Sequence, residues 1–305
     1  MATGIDPKTL LAIRDLELRA RVVVEGLWSG LHRSPLEGFS VEFTEYRQYS
    51  PGDDLRYLDW RVLARTDREY IKKFKDETNL RCLILLDTSR SMSFGSLPYS
   101  KSDYAGTLVA TLGYFLFHQR DVVGLALFDN RLHDYLPPRW RKGQFRSLLS
   151  MLGKKPTGNA THLGHALEEV IRICRKRSLV VIVSDFLSDP ESWEKQLAHL
   201  AAMRHDVRAL QILDPAERTL DFGRAAHWED LETGQRLYID PDAARKGYLD
   251  AFGRHQKTVR NVLNQLGIVH DIAPTDKPLD FVLLEMIRRG AKAGALRRVN
   301  GRERG

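Results

Sequence analysis

From Asn79 onward the chain alternates two kinds of segment. In one, nearly every residue is apolar; in the other, apolar residues return every three or four positions. Leu83-Ile84-Leu85-Leu86 and the runs at 122–128, 179–184 and 207–213 are of the first kind. They are too short for core helices and have the length of strands buried on both faces. Between them, residues 101–119 place Leu108, Leu112, Phe115 and Leu116 at helical spacing. Residues 163–175 do the same with Leu163, Leu167, Val170, Ile171 and Cys174. Further helices are expected near 143–152 and 191–203, and residues 131–136 read as a short hairpin partner of the strand before them. Strand–helix alternation of this kind predicts a mostly parallel α/β sheet with helices on both faces. Ligands of such sheets bind outside the carboxyl ends of the strands.

Two regions depart from the alternation. Residues 214–241 read as an inserted hairpin, with strands at 225–229 and 236–239 around a Glu232-Thr233-Gly234 turn. A long helix over 243–266, a strand over 268–272 and a last helix over 279–289 then complete the sheet. Residues 1–80 begin with one helix expected over 7–28. Phe39, Val41 and Phe43 then alternate with Ser40, Glu42 and Thr44, the period of a half-buried strand. The expected organisation is therefore a helical and β-rich region over 1–80, the sheet domain over 81–290, and a tail over 291–305.

Chemistry concentrates where apolar runs end. Asp87 closes the first run, with Ser89 and Ser91 at alternate positions behind it. Asp185 closes the run at 179–184, and Thr161 lies in the small-residue loop Thr157-Gly158-Asn159-Ala160-Thr161 that opens a helix. Hard oxygen donors at strand ends suit Mg²⁺, Mn²⁺ or Ca²⁺ and suit Zn²⁺ poorly. Asp87, Ser89, Ser91, Thr161 and Asp185 together resemble the metal-ion-dependent adhesion site of von Willebrand factor type A domains. Where that pattern commonly has Thr-Asp-Gly, this chain has Ser184-Asp185-Phe186, which keeps the acid and alters the loop after it. The resemblance implies a von Willebrand A-like fold and a metal, most simply Mg²⁺, bridging to an acidic side chain of a partner.

A second resemblance lies upstream. Gly30-Leu31-His32-Arg33-Ser34, Glu42-Phe43-Thr44-Glu45-Tyr46-Arg47, Tyr49-Ser50-Pro51-Gly52-Asp53-Asp54-Leu55-Arg56 and Asp59-Trp60 follow one another. With Asp214-Pro215-x-Glu217 and Trp228-Glu229-Asp230, they resemble the bacterial family called domain of unknown function fifty-eight. That resemblance implies a cytoplasmic partner of MoxR-type AAA+ ATPases, acting on a client protein. The block also has a physical reading. Pro51-Gly52 makes a turn. Arg47, Asp53, Asp54, Arg56 and Asp59 either pair as forks and carboxylates that tie the segment down, or present a polar docking surface to a partner.

Charge changes this picture little. Arg288, Arg289, Lys292, Arg297, Arg298, Arg302 and Arg304, against Glu303 alone, carry nearly all of the net charge of +7, so the rest of the chain is close to neutral. A basic end of this kind is a solvated tail unless something recognises it. No zinc-finger or aromatic-interleaved basic stretch argues for nucleic acid. Cys82 and Cys174 read as buried thiols rather than a disulfide. No signal-peptide pattern and no apolar run near the roughly 20 residues of a membrane span are expected. GxxxxGK[ST], HExxH and Gly-x-Ser-x-Gly are all absent from the sequence. His162 and His165 are the imidazoles nearest the site in sequence, and they sit at a helix start. The expectation is a non-enzymatic interaction module. The alternatives it must displace are a Mg²⁺-dependent hydrolase or phosphoryl-transfer enzyme and an RNA-binding von Willebrand A-like protein.

Overall fold

The computed structural model describes residues 4–32, 45–48, 70–73, 80–153, 162–222, 226–229 and 236–289. The chain divides into two compact units, one of residues 1–33 with 80–305 and one of residues 34–79. Within the smaller unit, β1 (Glu45–Gln48) and β2 (Tyr70–Lys73) pair antiparallel, with Arg47 in register with Ile71. The strand expected at 39–44 lies outside the described residues, as do Asp53, Asp54, Arg56 and Asp59.

The single N-terminal helix expected over 7–28 is two helices, α1 (Pro7–Ala12) and α2 (Leu16–His32). Ile13 is extended, and the Asp15 carboxylate then accepts from the Leu18 N–H at 3.0 Å, a fresh N-cap that restarts the helix. The Arg19 guanidinium donates to the carbonyls of Leu11 and Ile13, satisfying acceptors that the end of α1 leaves free. Arg19 also donates to Thr107 Oγ1 at 3.2 Å. Leu10, Val23, Val24 and Leu27 are buried in the core of the larger unit. The boundary expected at residue 80 is thus corrected: burial of this apolar face groups the N-terminal helices with the sheet.

That sheet has six strands. β3 (Arg81–Asp87) lies inside it, flanked by β4 (Val122–Phe128) and β6 (Leu179–Ser184), both parallel to it. β5 (Leu132–Arg139) forms one edge, antiparallel to β4, and carries Pro137 and Pro138 where an edge tolerates missing donors. β7 (Asp206–Leu213) pairs β6, and β10 (Val269–Pro274) forms the far edge. The order is β10-β7-β6-β3-β4-β5, mostly parallel as the alternation predicted. The inserted hairpin is present as the antiparallel pair β8 (Ala226–Glu229) and β9 (Arg236–Ile239).

Helices cover both faces. One face packs α1, α2, α3 (Lys101–His118), α4 (Gln144–Leu152) and α9 (279–289) against residues such as Ile84, Leu86, Leu125 and Val181. The other packs α5 (Leu163–Ile173), α6 (Glu194–Ala202) and α8 (Pro241–Gln265) against Leu83, Leu85, Ile182 and Ala209. Alternate residues of one strand serve opposite cores, so the runs read as continuously apolar. Cys82 and Cys174 are free and buried. Residues 214–241 hold more than the hairpin. Asp214 and Glu217 form a capping box that opens the short helix α7 (Pro215–Thr219). Among the described residues no helix is long and apolar enough to cross a membrane.

Candidate metal centre

The chain runs from β3 out to the β5 edge and then returns to place β6 on the opposite side of β3. The gap between β3 and β6 is therefore the point where strand order reverses, the place at the carboxyl ends of the strands where ligands of such sheets bind. Asp87 is the last residue of β3, and Asp185 follows β6 directly. Both side chains are buried. Ser89 and Ser91 stand where β3 passes into a short 3-10 turn (Arg90–Ser93).

Hydrogen bonds hold these groups in place. The Ser89 N–H donates to Asp87 Oδ1 at 2.9 Å, and the Ser184 hydroxyl donates to Asp87 Oδ2 at 2.6 Å. Ser89 Oγ and Ser91 Oγ are 3.0 Å apart, and Ser91 lies beside Asp185. The Leu187 N–H approaches Asp185 Oδ1 at 3.3 Å, while Lys101 Nζ donates to Asp185 Oδ2 at 2.8 Å.

The two carboxyls titrate in opposite directions. Burial, and then the negative charge of Asp185, push Asp87 up to about 7 against the hydrogen bonds of Ser184 and Ser89. Burial would raise Asp185 too. The Lys101 ammonium and the hydrogen bonds from Lys101, Ser91 and Leu187 instead carry it below the ordinary carboxylate range. For Lys101, burial opposes the charged form, but Asp185 and Glu217 outweigh it and push the pKa up to about 12.

The donor set fits a hard cation. Adjacent ligands of an octahedral Mg²⁺, at about 2.0–2.1 Å from the ion, lie about 3 Å from each other. The two serine oxygens already have that spacing. Among the described residues there is no group of three or more His, Cys, Asp or Glu side chains placed to hold a metal. A cation here would therefore meet a mixture of hydroxyls and carboxylates, which suits Mg²⁺, Mn²⁺ or Ca²⁺. A cation beside Asp87 would favour its ionised form, which burial and the charge of Asp185 otherwise oppose.

Of the five residues expected at the metal, Asp87, Ser89, Ser91 and Asp185 come together, and Thr161 lies outside the described residues. His162 opens α5, donating its backbone N–H to the Asp129 carbonyl at 3.1 Å. Its ring lies 5.3 Å from that of His165, and both are exposed along an open cleft of about 460 Å³. Sequence reasoning missed Ser184, Lys101 and Glu217. One signal for Lys101 was available: a lysine at the first position of a helix opposes the helix dipole and needs another reason to be there. Phe186, directly after Asp185, adopts the left-handed backbone region that favours glycine, with φ 52°. Phe186 is held by core burial, by an edge contact with Trp193, and by His255 Nε2 2.7 Å from its carbonyl.

The family described as "Protein of unknown function DUF58" matches residues 45–258. An uncharacterised protein of Mycobacterium tuberculosis is 29% identical over 297 residues, spanning 95% of this chain and 93% of its own length. Among solved structures, the conserved hypothetical protein BatB from Bacteroides thetaiotaomicron superposes with a TM-score of 0.47 and 16% identity, over 70% of this chain and 100% of its own. Proximal thread matrix protein 1 from the mussel byssus, solved with a zinc-occupied MIDAS motif, superposes at 0.38 with 16% identity, over 44% and 38% of the two chains. The architecture of the present chain rests on its own strand order and register.

Proposed function

The chain belongs to the DUF58 family of proteins of unknown function, and on that footing we propose that it is a metal-dependent protein-interaction module rather than an enzyme. The observation that carries this reading is the meeting of Asp87, Ser89, Ser91 and Asp185 at the strand-order reversal, with two hydroxyl oxygens at ligand spacing. In this reading Ser89 and Ser91 are direct ligands, Asp87 supplies charge, Asp185 orients Ser91, and Thr161 joins from its loop. A bound Mg²⁺ would supply a positive centre to which an acidic side chain of another protein attaches. The non-catalytic reading is supported by the state of Lys101: an ammonium held protonated between two carboxylates is no general base.

The proposed partner is a cytoplasmic MoxR-type AAA+ ATPase, with the acidic contact made by the ATPase or by its client. Its support is the family resemblance of the 30–60 block and of the later Asp214-Pro215 and Trp228 segments. Calorimetry of metal-free protein with Mg²⁺ tests the site: binding in the wild type and its loss in Asp87→Ala is the expected result. Unchanged affinity in Asp87→Ala would sink the assignment. For the partner, co-elution of purified ATPase with the chain should require Mg²⁺ and disappear with the same substitution.

A further inference from the structure

Lys101 is the least expected group at this centre. It is fully buried at the start of α3, where both the loss of water and the positive end of the helix disfavour an ammonium. Its Nζ lies 2.8 Å from Asp185 Oδ2 and 2.5 Å from Glu217 Oε1. Glu217 is in turn fixed by the capping box of α7, accepting from the Asp214 N–H at 2.9 Å through its other oxygen. The lysine thus joins α3, the end of β6 and α7 at one point.

Its neighbours decide what this does to the site. Asp185 spends one oxygen on Lys101 and the other on the Leu187 N–H. Its charge is already matched before any cation arrives. Asp87 is the other carboxyl beside the serine hydroxyls, and among the described residues its hydrogen-bond donors are an N–H and a hydroxyl rather than a cation. A divalent cation held there keeps excess positive charge with an ammonium close behind it.

We propose that Lys101 is a resident counter-cation that cancels Asp185, so that the site holds a divalent ion weakly alone and firmly only together with a carboxylate from an acidic partner. This rests on the metal-site reading above. It adds that metal and partner bind cooperatively, each raising the affinity of the other by the same factor. Lys101 acts through Asp185 and is a positioning residue. Glu217 tunes it from behind by neutralising part of its charge.

The test is calorimetric titration of Mg²⁺ into the full-length, metal-free protein at fixed ionic strength, with and without acetate as a carboxylate probe. Wild type, Lys101→Met, Glu217→Gln and Asp87→Ala are compared. Removing the ammonium should tighten Mg²⁺ binding about tenfold, the effect of one nearby unit charge through a partly screened medium. Glu217→Gln, which leaves the ammonium less neutralised, should weaken it. Acetate should strengthen binding more in the wild type than in Lys101→Met. A merely structural lysine would make both substitutions loosen the site, so opposite signs are the signature.

If Lys101→Met and Glu217→Gln shift affinity the same way, or not at all, while Asp87→Ala abolishes binding, the metal site stands and this proposal falls. If no variant binds Mg²⁺ with or without acetate, both readings fall. Should Lys101→Met fail to fold by circular dichroism, the Lys101→Met/Glu217→Gln pair takes its place, because it leaves no unpaired glutamate. It should still bind Mg²⁺ more tightly than the wild type, and equal or weaker binding would overturn the proposal.

Discussion

Asp87 and Asp185 carry the same functional group in one buried cluster, and their surroundings push them apart. Asp87 is desolvated and answered by hydroxyl and N–H donors; Asp185 is desolvated and answered by an ammonium. A carboxyl raised to about 7 in the folded protein and near 3.8 when unfolded favours folding below the lower value, and that contribution is lost as pH rises through the higher one. Metal-free wild type should therefore lose stability relative to Asp87→Asn between about pH 4 and pH 7. Denaturant unfolding of the two proteins across that range measures it, and a pH-independent difference would show that Asp87 titrates normally. Phe186 belongs to this scale too. A positive φ costs a bulky residue on the order of 1 kcal/mol or more. Burial of its ring against Trp193 offsets that cost, so a backbone conformation that favours glycine can hold an aromatic.

At the scale of elements, two glycines of opposite meaning give a clean comparison. Gly164 opens α5 so close to the turn at Pro190–Ser192 that a Cβ would lie 2.2 Å from the Ser192 carbonyl oxygen. Gly106 sits within α3 with nothing within 4 Å of its would-be Cβ. Gly164→Ala should cost about 1–3 kcal/mol through forced backbone movement. Gly106→Ala should contribute about 0.5–1 kcal/mol by removing backbone freedom from the unfolded chain. Thermal melts of the two variants should move in opposite directions; a Gly164→Ala protein as stable as wild type would deny the close packing of α5 on that turn. The sheet strands were legible because their apolar runs are continuous, and helices such as α3 because their period is clear. The break at 13–15 was not, since Ile13 continues an apolar helical pattern and only the Asp15 cap betrays the restart. Helix α7 was hidden for a similar reason: Asp214-Pro215-Ala216-Glu217 is a capping box, and five residues show no period.

For the whole molecule, the six-stranded sheet of the larger unit has a core on each face, and the buried cluster at its strand-order reversal ties β3 to β6 and, through Lys101, to α3 and α7. Ligand binding to the folded state alone stabilises it by RT ln(1 + [L]/Kd). Saturating Mg²⁺ should raise the melting temperature of wild type by several degrees and leave Asp87→Ala where it was. Equal shifts in both would mean that the ion acts elsewhere on the surface.

The kinds and order of the elements, the acids that close two strands and the serines behind them are all local, written in spacings of two to four residues. What local spacing cannot hold is which strand returns beside which. The crossover from the β5 edge to β6 brought Asp185 next to Asp87 and gave Ser184 to Asp87 across 97 positions. It also set Lys101 between carboxylates 84 and 116 residues away. Periodicity determines a secondary structure because side chains repeat along one axis. The pairing of buried charges depends on desolvation and distance, which exist only once the sheet has closed over them.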